Sequence, residues 1–226
     1  MRHLWQQRSQ QQPLSASPNP RVACVLALDN SSSMHGDPIA QVNAGVAEFV
    51  RFLKSDRLSA ADIEVAVVTV GGEAKAAVPF TPAAEFDPPV LTAGGGTPLG
   101  HGLALGLQLL HERQQVYRQH DLDTHAPFLL LLTDGAETVS PAAFRQAGSV
   151  IKALQQRSLI RFYPVGVDGA DMAALADLTT GEPYRLRGLN FQALFAWLGR
   201  SLRSVSRSQP GDDFEPDDPR DCGIAD

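Results

Sequence analysis

Val22-Ala-Cys-Val-Leu-Ala-Leu28, followed at once by Asp29-Asn30-Ser31-Ser32-Ser33-Met34-His35-Gly36-Asp37-Pro38, decides how this chain folds. The first seven residues carry no polar interruption, the pattern of a strand buried on both faces. The next eight are polar or turn-forming, except for Met34. Asp37-Pro38 then reads as a helix start, with Asp as N-cap and Pro at the first helical position. In open α/β sheets, ligands gather beyond the carboxyl ends of strands. Asp29, Ser31 and Ser33 stand at such a place. Their oxygens suit a hard divalent cation such as Mg2+, with Mn2+ or Ca2+ as alternatives.

Working outward, Ile39, Val42, Val46, Phe49, Val50 and Leu53 continue at helical spacing to about Lys54. Asp62 to Val70 is β-branched and predicts a second strand. Gly71-Gly72 breaks it. Ala74 to Phe80 then returns as a short antiparallel strand, because the connection is so brief. Residues 81–96 form a long Pro- and Gly-bearing loop that ends in Gly94-Gly95-Gly96-Thr97-Pro98. A helix is expected from Pro98 to about Gln119. Its Gly100, Gly102 and Gly106 cost helix propensity and point to close approach of a neighbouring backbone.

Pro127 to Thr133 is a further buried strand and stops at Asp134-Gly135. Pro141 opens a helix, Leu159 to Val167 a strand, and Asp171 to Leu178 a short helix. A last short strand (184–186) and a final amphipathic helix (191–205) follow. Alternation of apolar strands with helices predicts a Rossmann-like, doubly wound α/β fold. Its six-stranded sheet is mostly parallel, with one antiparallel edge strand and helices on both faces.

The 226 residues divide into a flexible Gln/Pro-rich lead (1–21), a folded domain (22–205) and an acidic, disordered tail (206–226). The lead has no apolar core and does not read as a secretory signal. No run approaches the ~20 apolar residues of a membrane span. A net charge of −6 argues against nucleic acid as partner. Cys24 and Cys222 are too few for a disulfide framework and read as reduced thiols of a cytoplasmic protein.

Three separated segments meet at one rim of such a sheet. The first strand brings Asp29, Ser31 and Ser33, alternate residues of extended backbone that face the same way. The Gly-rich loop brings Thr97, and the strand 127–133 brings Asp134. The inventory is two carboxylates and three hydroxyls, with no soft ligand. Taken alone, Asp29 to Ser33 is equally an ordinary turn. Exposed His35 is a poor ligand for a hard cation. Gly94-Gly95-Gly96 lacks the Lys-Ser/Thr of a nucleotide loop.

Asp29-x-Ser31-x-Ser33, Thr97 in Gly-Gly-Thr-Pro-Leu, and Asp134 in Leu-Leu-Thr-Asp-Gly resemble the metal-ion-dependent adhesion site of von Willebrand factor A domains. The resemblance spans roughly Val22 to Val205. Within the family the chain is most similar to bacterial TerY-like proteins of tellurite-resistance loci. The phrases Ser-Met-His-Gly-Asp-Pro-Ile and Gly-Gly-Thr-Pro-Leu-Gly carry that narrower likeness.

The resemblance implies that Ser31, Ser33 and Thr97 bind the metal directly. Asp29 and Asp134 would bind it directly or through water. An acidic residue of a partner protein fills the remaining position. It also implies a non-enzymatic module, in a stress-response setting that sometimes includes a protein kinase and a phosphatase. Two positions depart from the pattern. Ser32 stands where the family usually has Gly, which would cost strain at positive φ. Gly-Ala-Glu-Thr follows Asp134 where TerY-like chains often carry a Pro and a further Asp, leaving Glu137 as added charge near the site. Two rivals remain: a Mg2+-dependent hydrolase or phosphatase, and a structural domain whose metal site is never filled. The first lacks an acid–base partner, since Ser31 stands where haloacid-dehalogenase-like phosphatases carry a second Asp.

Overall fold

The computed structural model describes residues 19–210 and 216–226. Most of the expected lead, residues 1–18, lies outside the described residues. The chain forms β1 (Val22–Asp29), α1 (Asp37–Lys54), α2 (Arg57–Asp62), β2 (Ile63–Gly71) and β3 (Glu73–Pro82). There follow α3 (Leu99–Gln119), β4 (Phe128–Thr133), α4 (Pro141–Gln155) and β5 (Arg161–Gly166). α5 (Met172–Ala176), β6 (Tyr184–Arg185) and α6 (Phe191–Ser206) complete it. The six strands lie in the order β3-β2-β1-β4-β5-β6. Every pairing is parallel except β2 with β3. The expected sheet and its antiparallel edge are therefore present.

Both faces of the sheet are covered, which is why β1 and β4 are buried along their whole length. On one side Cys24, Leu26 and Leu28 pack with Val46, Phe49, Phe195 and Leu198 of α1 and α6. On the other, Val25, Val68 and Leu129 pack with Leu99, Leu103, Phe144 and Ile151 of α3 and α4. The glycines of α3 serve these contacts. A Cβ on Gly100 would lie 2.3 Å from the Phe144 nitrogen, and one on Gly102 would lie 2.5 Å from a Val70 methyl. Close backbone approach thus holds for Gly100, whereas Gly102 meets a side chain.

The helix start at Asp37-Pro38 differs in detail. Gly36 is the N-cap, with φ +90, and no side chain caps the first turn. At α4 the start is as expected: Pro141 is in the first turn, and the Ser140 side chain accepts from Ala143 N. The short α2 escapes the sequence reading because six residues are too few to display a period.

The ends of the domain extend beyond the expected limits. Arg21 is 1% exposed and pairs with buried Asp62 at 3.3 Å. At the other end, the tail expected to be disordered is partly packed. Residues 216–226 return to the open side of β6, where Arg185 and Asp226 exchange backbone hydrogen bonds of 3.0 and 2.9 Å. Ile224 and Ala225 are buried there, and Trp197 Nε1 donates to the Asp217 carbonyl at 2.7 Å. Two apolar residues near the C-terminus suffice to cover an unpaired sheet edge, which a count of acidic residues does not reveal.

One buried ion pair fixes α3 against the sheet. Glu64 of β2 and Arg113 of α3 are each about 2% exposed. Arg113 donates through Nε and Nη2 to the two Glu64 oxygens, and Tyr117 OH donates to the same carboxylate. Burial, then the adjacent Glu64 charge, holds the Tyr117 phenol well above its ordinary range. Removing one partner of such a pair strands a buried charge. Arg113→Ala is expected to lower unfolding free energy by about 3–5 kcal/mol in urea titration. A loss below about 1 kcal/mol would show that the pair contributes little.

Candidate metal centre

The site lies where the strand order reverses. β1 pairs with β2 on one side and β4 on the other, so the chain leaves β1 and β4 toward opposite faces. The register Leu28↔Leu132 sets the end of β1 beside the end of β4. Asp29 and Thr133 are then neighbours, and Asp134 is one residue beyond.

Asp29 is fully buried. Its Oδ1 accepts from Ser31 N at 2.8 Å, and its Oδ2 accepts from Thr133 Oγ1. Burial raises its pKa; the hydrogen bonds from Thr133 and Ser31 pull it down, and the nearby Asp134 charge raises it further. Ser31 Oγ and Ser33 Oγ are 3.0 Å apart, and Ser33 Oγ donates to Asp134 Oδ1 at 2.7 Å. Hydrogen bonds thus join four of the five expected residues, through the Ser31 amide at Asp29 and through hydroxyls beyond it. Ser31 is buried and Ser33 is exposed, so this network opens to solvent at the rim.

Thr97 enters from the third segment. It is 5% exposed, and its Oγ1 lies 3.6 Å from where a Cβ on Gly135 would stand. The Gly-rich loop that carries it is held against the loop after β1 and the β2–β3 turn by backbone bonds. Ser32 N donates to the Gly95 carbonyl at 3.0 Å, and Gly72 N donates to that of Gly96 at 2.7 Å. Gly95 has φ +78, and a Cβ there would sit 2.4 Å from the Gly72 Cα. Only glycine meets both demands. Ser32 itself lies in a 3-10 turn (Ser32–Met34) and is not among the non-glycine residues of positive φ. The condition for strain, a positive φ at this position, is therefore not met.

Three residues that the sequence reading did not assign complete the frame. Thr133 bridges the two strands at Asp29. Asn30, between the ligand candidates, points the other way: its Nδ2 donates to the Thr92 carbonyl at 2.9 Å. Asn43 of α1 exchanges two hydrogen bonds with the Leu91 backbone, of 2.9 and 2.8 Å. The alternation of extended backbone was the available signal for Asn30. Asn43 gave none, because its partner is a main chain far away in sequence. The Asp168-Gly169 turn lies against the site, with a Cβ on Gly169 3.4 Å from the Asp134 carbonyl.

The donor set fits a hard cation. Among the described residues, neither Asp29 nor Asp134 has a basic partner within ion-pair distance. Among the described residues no three or more His, Cys, Asp or Glu side chains are grouped so as to hold a metal ion. A dication held here would rest on hydroxyls as much as on carboxylates.

The sequence profile of the von Willebrand factor type A domain matches residues 24–194. The chain belongs to this family. No characterised protein matches it by sequence. Solved structures share the fold at low identity. The pilus adhesin SpaC from Lactobacillus rhamnosus GG superposes with a TM-score of 0.66 at 14% identity, over 85% of this chain and 31% of that one. The vWF domain of the type V pili tip protein Mfa5 from Porphyromonas gingivalis gives 0.55 at 15%, over 88% of this chain and all of that one. Proximal thread matrix protein 1 from the mussel byssus, with a zinc-occupied MIDAS motif, gives 0.51 at 16%, over 84% and 47%. The chain spans about half of the thread matrix protein and a third of the adhesin. Among the described residues no helix is long and apolar enough to cross a membrane.

The Thr133 hydroxyl donates to the buried Asp29 carboxylate across the β4–β1 seam. Thr133→Val is expected to cost about 1–3 kcal/mol of stability in chelator, with Thr133→Ser recovering most of it. Equal urea midpoints for Thr133→Val and the parent chain would contradict this account.

Proposed function

We infer that this von Willebrand factor A domain is a non-enzymatic protein-interaction module, in which a divalent metal at the β1–β4 rim grips an acidic side chain of a partner. One observation carries the reading. Asp29, Ser31, Ser33 and Asp134 are joined by successive hydrogen bonds, through the Ser31 amide at buried Asp29 and through hydroxyls from Ser31 to exposed Ser33 and Asp134. Ser31, Ser33 and Thr97 would supply hydroxyl ligands. Asp29 and Asp134 would balance charge and hold water. Bound there, the metal attracts an anionic oxygen to its open position, and Mg2+ is the leading candidate. The zinc-occupied thread matrix protein supports metal binding by a related fold, without naming the metal for this chain.

Ser31 at the second position after Asp29 speaks against a hydrolase, because a hydroxyl is no acid–base partner at neutral pH. The narrower likeness to TerY-like proteins stands on residues 33–39 and 95–100 alone. A cytoplasmic, tellurite- or stress-linked setting beside a kinase and a phosphatase stands with it. The pilus adhesins among the structural neighbours offer an extracellular alternative.

Calorimetry should show Mg2+ or Mn2+ binding roughly in the micromolar to millimolar range, lost in the Asp29→Ala/Ser31→Ala/Thr97→Ala variant. A pull-down with the wild-type chain should retain a partner that chelator releases. Unchanged metal binding by the triple variant would contradict the assignment.

A further inference from the structure

Thr97 is the one candidate ligand that no strand end delivers. Asp29 and Asp134 are placed by the register of β1 and β4. Thr97 follows a long loop and precedes α3, so its position depends on what fastens that junction. On one side the Gly-rich loop is tied to Ser32 and Gly72. The other side is fastened by residues 137–140. Thr97 N donates to Thr138 Oγ1 at 2.8 Å, and Thr138 N donates to the Thr97 carbonyl at 3.1 Å.

Glu137 spans the same seam. Its Oε2 accepts from Gly100 N, in the first turn of α3, at 2.6 Å. Its Oε1 accepts from Val139 N at 2.6 Å and Ser140 N at 2.9 Å, where the chain enters α4. A single carboxylate thus satisfies amides at the starts of two helices, where the helix dipoles favour negative charge. The two backbones are already in contact there, through Gly100 against Phe144.

We propose that Glu137 is a positioning residue for the metal site, holding Thr97 in register with Asp134 by locking the start of α3 to the loop that follows β4. This inference rests on the metal-site reading above. Residues 134–140 carry Asp134 at one end and the Glu137 clamp three residues later. Loosening the clamp leaves the start of α3 held to this loop by the Thr97–Thr138 hydrogen bonds and the Gly100–Phe144 contact, a weaker hold on the Thr97 hydroxyl. Glu137→Gln is the sharpest probe: it keeps the shape, and places an amide donor against a backbone donor.

The test is a double-variant cycle read by Mn2+ calorimetry. Glu137→Gln should weaken Mn2+ binding about tenfold in the wild-type background and by less than about twofold when Thr97→Ala is already present. Glu137→Ala, tested in parallel, should behave alike, which guards against misfolding of one variant. The inference is overturned if Glu137→Gln binds Mn2+ within about twofold of wild type, or if the loss is equal in both backgrounds. The second result would mark a general loosening of the domain. Failure of the wild-type chain to bind Mn2+ overturns the metal-site reading, and this inference with it. Binding by wild type with indifference to Glu137 sinks the clamp alone.

Discussion

The hydrogen bond from Thr133 to Asp29 is the constraint on which the site depends. It crosses from β4 to β1 at the point where the sheet reverses its strand order. A carboxyl group is buried there, where burial raises its pKa and the hydroxyl and amide donors of Thr133 and Ser31 partly offset that. Such a group persists only if its partners are held rigidly. The parallel register of β1 and β4 supplies that rigidity, since Leu28 and Leu132 are paired one residue earlier. Once Asp29 is fixed, Ser31 N must fold back to it, and the 3-10 turn at Ser32 brings Ser33 to Asp134. The loop geometry therefore follows from one buried charge.

The rest of the fold serves to keep this rim closed on the sheet side and open on the solvent side. α3 cannot slide, because Arg113 and Tyr117 grip Glu64 at its far end while Gly100 packs on α4 at its near end. The loop before it cannot lift, because Asn30 and Asn43 hold its backbone at Thr92 and Leu91. The two asparagine anchors are polar groups bonded to main chain. They trade hydration for directional bonds and so fix position more tightly than apolar contacts would.

The sheet and its order were legible because the information is periodic. Val22 to Leu28 and Phe128 to Leu132 are continuous apolar runs, and Gly71-Gly72 leaves room only for a hairpin. Of the five ligand candidates, the structure joins four by hydrogen bonds at one rim, while Thr97 comes from a loop rather than a strand end. What stayed hidden is non-local. Glu64 reads as a polar residue in a strand until Arg113, far away in sequence, covers it. Ile224 and Ala225 look like part of an acidic tail until β6 offers an unpaired edge. Glu137 looks like added charge near the site, whereas its oxygens are spent on three backbone amides. At Ser32 the strain was conditional on positive φ, and the backbone there does not require it.

The division of labour between carboxylates and hydroxyls bears on how such a site would work. Both oxygens of Asp29 already accept hydrogen bonds from within the fold, and one oxygen of Asp134 accepts from Ser33. On the proposed reading, these anions neutralise a dication at short range while neutral hydroxyls fill its coordination sphere. Three carboxylates in direct contact would cancel the charge and leave little attraction for another anion. Hydroxyl ligands leave the cation electron-poor, so the open position favours an acidic side chain over water. A site rich in serine and threonine is thus weaker for the metal and stronger for the partner's carboxylate. On that reading, the burial of Asp29 beneath Thr133 would let one anion act on the cation without occupying the exposed face.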